Sequence, residues 1–264
     1  MMGEELNGAD VTSRGLLGDR AFALVDVETR NVISAKNPKK WSGLFHFRAQ
    51  YSRPLNNGTP SSIWITLPDG TVLSSDDPAV DQKLSDSLGR QVTLQTQSAE
   101  GAKLEQYWPE YEGAEKEISS EAVAGGAAKG TFFDYAPLHL LTTNSIVALQ
   151  GHYPEGRFEV RRFRPNLMLD CNGQSGFVED DWVGKTIQIG DSLQLQITDP
   201  CPRCVMTTLA QGDLPRDIGI LKNGISANRP MVPFAGKELP SVGVYATVLT
   251  PGWVKRGDSV TIER

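Results

Sequence analysis

The chain has 264 residues, 39% of them hydrophobic and 22% charged, with three cysteines and a formal net charge of -6 at pH 7. This is the composition of a soluble globular protein with one large or two modest cores, and no apolar run approaches the ~20 residues needed to span a bilayer. The acidic balance argues against broad nucleic-acid affinity, and an odd cysteine count argues against a disulfide framework, so a reducing, cytoplasmic setting is expected.

The first residues, Met1 to Leu6, show neither the basic and apolar stretches of a secretory signal nor the arginine-rich character of a transit peptide. Short apolar runs separated by glycine and proline then predict a mainly β chain with a few helices. Arg20–Asp26 reads as a strand, with Val32–Ser34 returning after a turn. Phe45–Tyr51 is another. Ser62–Leu67 and Thr71–Leu73 flank Pro68-Asp69-Gly70, a hairpin signal because Gly70 can take positive φ. Asp77–Leu88 reads as a helix with Pro78 in its first turn and Gly89 at its end. Val92–Gln95 is again a strand.

From 110 to 129, glutamates give way to Ala124-Gly125-Gly126-Ala127-Ala128 with little apolar periodicity. That stretch reads as a flexible linker or insertion between domains at 1–109 and 130–264. Thr142-Thr143-Asn144-Ser145 offers an N-cap for a helix to about Gln150. Arg157–Asp170 reads as a strand pair or a bent strand broken at Pro165. Trp182–Asp191 reads as a strand and tight turn, and Val242–Leu249 and Asp258–Ile262 as the last strands.

The richest chemistry lies in Asp199-Pro200-Cys201-Pro202-Arg203-Cys204, fed by the β-rich run Leu193–Thr198. A guanidinium beside a thiol favours the ionised sulfur, so this loop can hold a metal ligand, a redox pair or a nucleophile. A zinc site would need further ligands at ligand-like spacing, which Cys171, His46, His139 and His152 do not offer. A thioredoxin-like pair should precede a helix, whereas Val205–Leu209 is β-branched and reads as strand. Four other segments stand out. Gly15-Leu16-Leu17-Gly18-Asp19-Arg20 precedes a strand. Phe133-Asp134-Tyr135-Ala136-Pro137 places a carboxylate and backbone N–H groups before a proline. Arg161-Arg162-Phe163-Arg164-Pro165-Asn166, with Arg157, reads either as a local basic pocket whose forks suit phosphate or carboxylate or as a solvated arginine face. Glu179-Asp180-Asp181-Trp182 reads as an acidic turn before a core tryptophan.

In this order the segments resemble the MOSC family, the domain at the C-terminus of molybdenum-cofactor sulfurases and in amidoxime-reducing molybdoenzymes. The N-terminal segment resembles the β-barrel module that precedes it. The resemblance implies a β-barrel MOSC domain, a smaller N-terminal β-barrel-like domain and the molybdenum cofactor, with Cys204 as the molybdenum ligand and catalytic thiolate. It implies Arg164 and Asn166 on the cofactor's phosphate and pterin, Asp134-Tyr135-Ala136 as a cofactor-touching loop, and Arg20 as another anchor. Family members usually begin with a strand ending in a Pro-Val-Lys-Ser-like motif. This chain starts after it, so that strand is expected to be missing, and Ala136 stands where the family has serine. The implied activity is reduction of N-hydroxylated or N-oxygenated compounds, with electrons from a separate cytochrome b5-like or ferredoxin-like partner. The alternatives are a cofactor carrier or sulfur-handling protein using a Cys204 persulfide, and an inactive truncated form. A link to pyridoxal phosphate is family association only. Mitochondrial association is expected only if the true N-terminus lies further upstream.

Overall fold

The computed structural model describes residues 2, 4–55, 61–108 and 117–263. In chain order the strands are β1 (Gly8–Thr12), β2 (Gly15–Leu16), β3 (Ala23–Asp26), β4 (Arg48–Tyr51), β5 (Ile63–Thr66), β6 (Val72–Ser74), β7 (Val92–Gln95), β8 (Lys103–Trp108) and β9 (Glu117–Ala122). They continue as β10 (Leu138–Thr142), β11 (Leu167–Leu169), β12 (Thr186–Ile189), β13 (Leu193–Pro202), β14 (Met231–Val232), β15 (Lys237–Glu238), β16 (Ser241–Thr250), β17 (Gly252–Lys255) and β18 (Val260–Ile262). The α-helices are α1 (Pro38–Trp41), α2 (Val80–Leu88), α3 (Thr143–His152) and α4 (Val160–Phe163). The protein is thus mainly strand with few helices, as expected. Among the described residues no helix is long and apolar enough to cross a membrane.

The chain divides into two compact units. The first comprises Met1–Glu5, Gly18–Tyr135 and Gln211–Asp213. Its strands form small antiparallel sheets: β4-β5-β6, β3-β7 and β8-β9. The hairpin predicted around Pro68-Asp69-Gly70 forms, with Gly70 at φ 89 and Thr66 facing Val72. Ile63 and Ile65 point inward and Trp64 outward, the period-two pattern of a half-buried strand. Helix α2 ends at Gly89 as predicted.

Three readings in this unit change. Residues 20–22 lie outside β3, because Arg20 takes a left-handed turn at φ 51. Val32 makes only isolated bridges, to Val25 and Leu104, so no Val32–Ser34 strand forms. Phe45 belongs to a 3-10 turn, Ser42–His46, and its strand starts at Arg48. Of the predicted linker, 110–116 lie outside the described residues, and 117–122 form β9 against β8. Pairing, not apolar content, makes that polar segment a strand.

The second unit comprises Leu6–Leu17, Ala136–Ala210 and Leu214–Arg264. A six-stranded half-barrel sheet runs β11-β10-β16-β13-β12-β18, and a smaller sheet runs β17-β1-β2. Leu193, Leu195 and Ile197 of β13 are fully buried and alternate with half-buried Gln194, Gln196 and Thr198. Each such side chain contributes about 1.5–3 kcal/mol through burial. They share a core with Leu138, Leu140, Ile187, Val244 and Trp182. Helix α3 is capped from within the expected segment, and the capping residue is Thr142, whose Oγ1 accepts from Ser145 N at 3.1 Å.

Candidate active site

Strand β13 is long but cannot continue past its prolines. Its register against β16 shifts between Ile197 and Asp199 and again between Pro200 and Pro202. Prolines have no N–H for the ladder, so the chain leaves the sheet there. Cys201 stays inside, 2% exposed. Its Sγ accepts from Arg203 Nη1 at 3.0 Å. Burial alone would push this thiol up, but His139 and Arg203 outweigh it, aided by hydrogen bonds from His139 and Tyr245. The result is a thiol held below its usual range.

Cys204 is half-buried and caps a 3-10 turn, Val205–Thr208, from an extended backbone. This corrects the strand expected from Val205–Leu209, and with it one ground for setting aside a redox pair. Two hydroxyls explain the difference. Thr207 Oγ1 donates to Cys204 O at 3.1 Å and Thr208 Oγ1 to Val205 O at 2.8 Å, bonds that close a turn in spite of β propensity. The two cysteines are therefore unequal: Cys201 is buried against a guanidinium and Cys204 is half-buried at the head of its turn.

The strand expected over 157–170 is instead α4 followed by β11. Arg164 ends α4 in the left-handed region, φ 56 and ψ 49, which costs a non-glycine residue about 1–2 kcal/mol. Among the described residues four non-glycines have positive φ, and Arg20 and Arg164 are two of them. Both arginines assigned as cofactor anchors thus sit on strained backbone, a feature that clusters at functional sites.

The predicted basic pocket narrows. Arg157 and Arg161 pair with Glu159. Arg162 is 1% exposed and bonds only backbone oxygens. Asn166 is fixed by Oδ1, which accepts from His139 N at 2.9 Å, and by its own N, which donates to His139 O at 2.8 Å.

In the first unit, Arg20 Nη1 lies 2.5 Å and Lys36 Nζ 2.9 Å from the Asp134 carboxylate. Burial would raise the Asp134 carboxyl, but Lys36 and Arg20 hold it well below the usual range. Tyr135 lays its ring against Gly125 and Gly126, where an added Cβ would come within 3.4 Å and 3.3 Å of the ring. Both glycines are otherwise exposed and meet that ring on one side. Ala136, in the second unit, is buried and has no hydroxyl to offer.

The acidic turn is structural, as expected. Glu179 is fully buried and accepts from Thr142 Oγ1 at 2.7 Å and Ser145 Oγ at 2.6 Å, and Trp182 enters the core. Two residues escaped the sequence. Lys36 had no motif to mark it. His139 had one usable signal, an imidazole in the fully buried strand Leu138–Thr142. It fits beneath β16 only because residue 243 is glycine, at φ 77. A Cβ there would lie 2.3 Å from His139 Nε2.

Among solved structures, YiiM from Geobacillus stearothermophilus matches at 16% identity and a TM-score of 0.32, covering 61% of this chain and 72% of its own. A hypothetical protein matches at 16% identity and a TM-score of 0.33, covering 52% and 56%. No curated protein matches. A family profile described as MOSC domain matches residues 127–261, just over half of the chain and the stretch that carries the half-barrel, the arginine segment and the cysteine loop. The chain belongs to the MOSC domain family.

Proposed function

We propose that the second unit holds the molybdenum cofactor, with Cys204 as its one protein ligand, and that the protein reduces N-hydroxylated or N-oxygenated compounds. MOSC domains are associated with that cofactor. The observation that carries the reading is the inequality of the cysteines: Cys201 is bound by Arg203 and buried, while Cys204 stands half-buried at the head of its turn. Among the described residues no three His, Cys, Asp or Glu side chains converge as a ligand set. A single thiolate suits a soft metal that arrives already ligated by its own dithiolene.

The other residues fit the same group. Arg164 offers a fork for phosphate on a backbone that aims it at some cost in strain. Asn166 is held in place by His139, whose N donates to its Oδ1, and its contact with the cofactor is the one the family resemblance implies. Ala136 in place of serine limits that position to a backbone contact. The roles of Arg20, Asp134 and Tyr135 toward the cofactor remain those the family resemblance implies. When bound, the cofactor supplies the redox chemistry, and the protein supplies grip and electrostatics. Electrons come from a separate cytochrome b5-like or ferredoxin-like protein, since three cysteines cannot ligate a four-cysteine cluster.

Protein expressed in a cofactor-producing host should carry stoichiometric molybdenum, and Cys204→Ser should lose it. Molybdenum retained by the variant would remove the ligand assignment. Turnover of benzamidoxime with a chemical reductant then tests the activity. Cyanide-labile sulfur on Cys204 without turnover would replace the reductase by a sulfur carrier.

A further inference from the structure

Two guanidiniums cross between α4 and the cysteine loop. From α4, Arg162 Nη1 donates to Thr207 O and Leu209 O, both at 3.1 Å, and Nη2 to Pro215 O at 2.9 Å, while Nε holds Arg157 O at 2.8 Å. From the loop, Arg203 Nη2 donates to Phe163 O at 2.6 Å, with its guanidinium 5.6 Å from the Phe163 ring centroid and Nη1 on Cys201.

The targets of these bonds are informative. Phe163 O belongs to the peptide unit whose nitrogen is that of Arg164, and Arg164 N donates to Val160 O at 3.1 Å. The unit that launches Arg164 into the left-handed region is therefore pinned at both ends. Thr207, held through its carbonyl by Arg162, binds Cys204 O through both Oγ1 and N, at 3.1 and 3.3 Å. Cys204 is thus fixed through Thr207 on one side and by its peptide neighbour Arg203 on the other.

Among the described residues every hydrogen bond of Arg162 goes to a backbone carbonyl, while Asp217 and Glu159 favour its charge without bonding it. Burying a guanidinium is costly unless its donors are satisfied, and four carbonyls take four of its five N–H groups. A lysine, with donors at a single point, cannot span these positions.

We propose that Arg162 and Arg203 are positioning residues that lock the Arg164–Asn166 segment and the Cys204 turn into one mechanical unit, set before any cofactor arrives. The cofactor meaning of the unit rests on the function proposed above, but the coupling itself is a property of the apo chain.

The test uses the full apo protein. Deuterium exchange is followed in peptides spanning 160–169 and 204–210, and iodoacetamide alkylation of Cys204 is followed by mass spectrometry. Arg203→Lys lies in the loop, yet its expected effect is on α4: exchange across 160–169 should accelerate about tenfold, the equivalent of one lost hydrogen bond, with β10 and β12 unchanged. Thr207→Val should raise Cys204 alkylation several-fold, and Thr207→Ser, which keeps the hydroxyl, should restore it. Arg162→Lys should loosen 204–210; if it does not fold, Arg203→Lys and the Thr207 pair still decide the matter. Unchanged exchange in 160–169, acceleration spread evenly over the whole unit, or Thr207→Ser behaving like Thr207→Val would overturn the proposal. Molybdenum content of the same variants is a separate readout. If Cys204→Ser keeps its metal while the exchange coupling holds, the cofactor reading falls and the coupling stands.

Discussion

Around Asp134, two cations share one carboxylate. Around Arg162, one guanidinium hydrogen-bonds backbone oxygens, and Asp217 and Glu159 favour its charge without bonding it. The first arrangement is an ion pair near the surface, with the Asp134 side chain 30% exposed, and water and salt can stand in for any member. The second is sealed, and its acceptors are carbonyls of an irregular segment that the sheets do not satisfy. One arrangement balances charge; the other holds a loop in shape. Substitutions at the two places should therefore differ in size, in salt response and in what they loosen.

The largest effect is expected for Arg162→Met, a loss of about 3–5 kcal/mol in urea unfolding, because it strands buried carbonyls. A loss below about 1 kcal/mol would mean that the carbonyls find other donors. Gly243→Ala attacks the same region through His139 and Leu140. It combines an unfavourable φ with contacts of 2.3 and 2.4 Å and should cost about 3 kcal/mol.

Asp134→Asn should cost less, about 1 kcal/mol, and the loss should shrink in high salt, whereas that of Arg162→Met should not. Its sign with pH is fixed. The folded carboxyl is depressed, so its stabilisation is present above the unfolded value and disappears as pH falls through the folded one. The wild type should thus show an acid-side loss that Asp134→Asn lacks.

An effect of similar size but opposite sign concerns a carboxylate with no cation hydrogen-bonded to it. Burial first, then Glu179 and Asp181, raise Asp180 to about 6 against the lowering hydrogen bond from Asn228 Nδ2. The folded state holds the proton more tightly than the unfolded chain, so stability falls as pH rises from about 4 to about 6. Asp180→Asn should flatten that slope and gain on the order of 1 kcal/mol at pH 7, read from unfolding midpoints across pH.

These contrasts also explain what the sequence revealed. Pro68-Asp69-Gly70, the α2 terminus at Gly89 and the α3 cap segment Thr142–Ser145 depend on neighbours along the chain, and each was legible. Val160–Phe163 and Val205–Thr208 carry β-forming residues yet turn, because their bonds go to groups 40 or more positions away or to their own hydroxyls. Cys204, Arg164 and Asn166 were picked out by motif. Arg162 was picked out for charge and turned out to act by geometry. A carboxylate partner leaves a trace in composition, as Glu159 does beside Arg157 and Arg161. A carbonyl partner leaves none, since every residue has one.

The left-handed backbone at Arg20 and Arg164 has an evolutionary consequence. At either position glycine or asparagine would relieve strain. A laboratory selection for heat resistance alone, run where no cofactor is made, should drift toward those residues at both sites. A selection that demands the cofactor should hold the arginines in place, so the pattern of substitutions recovered would separate what the fold prefers from what the activity requires.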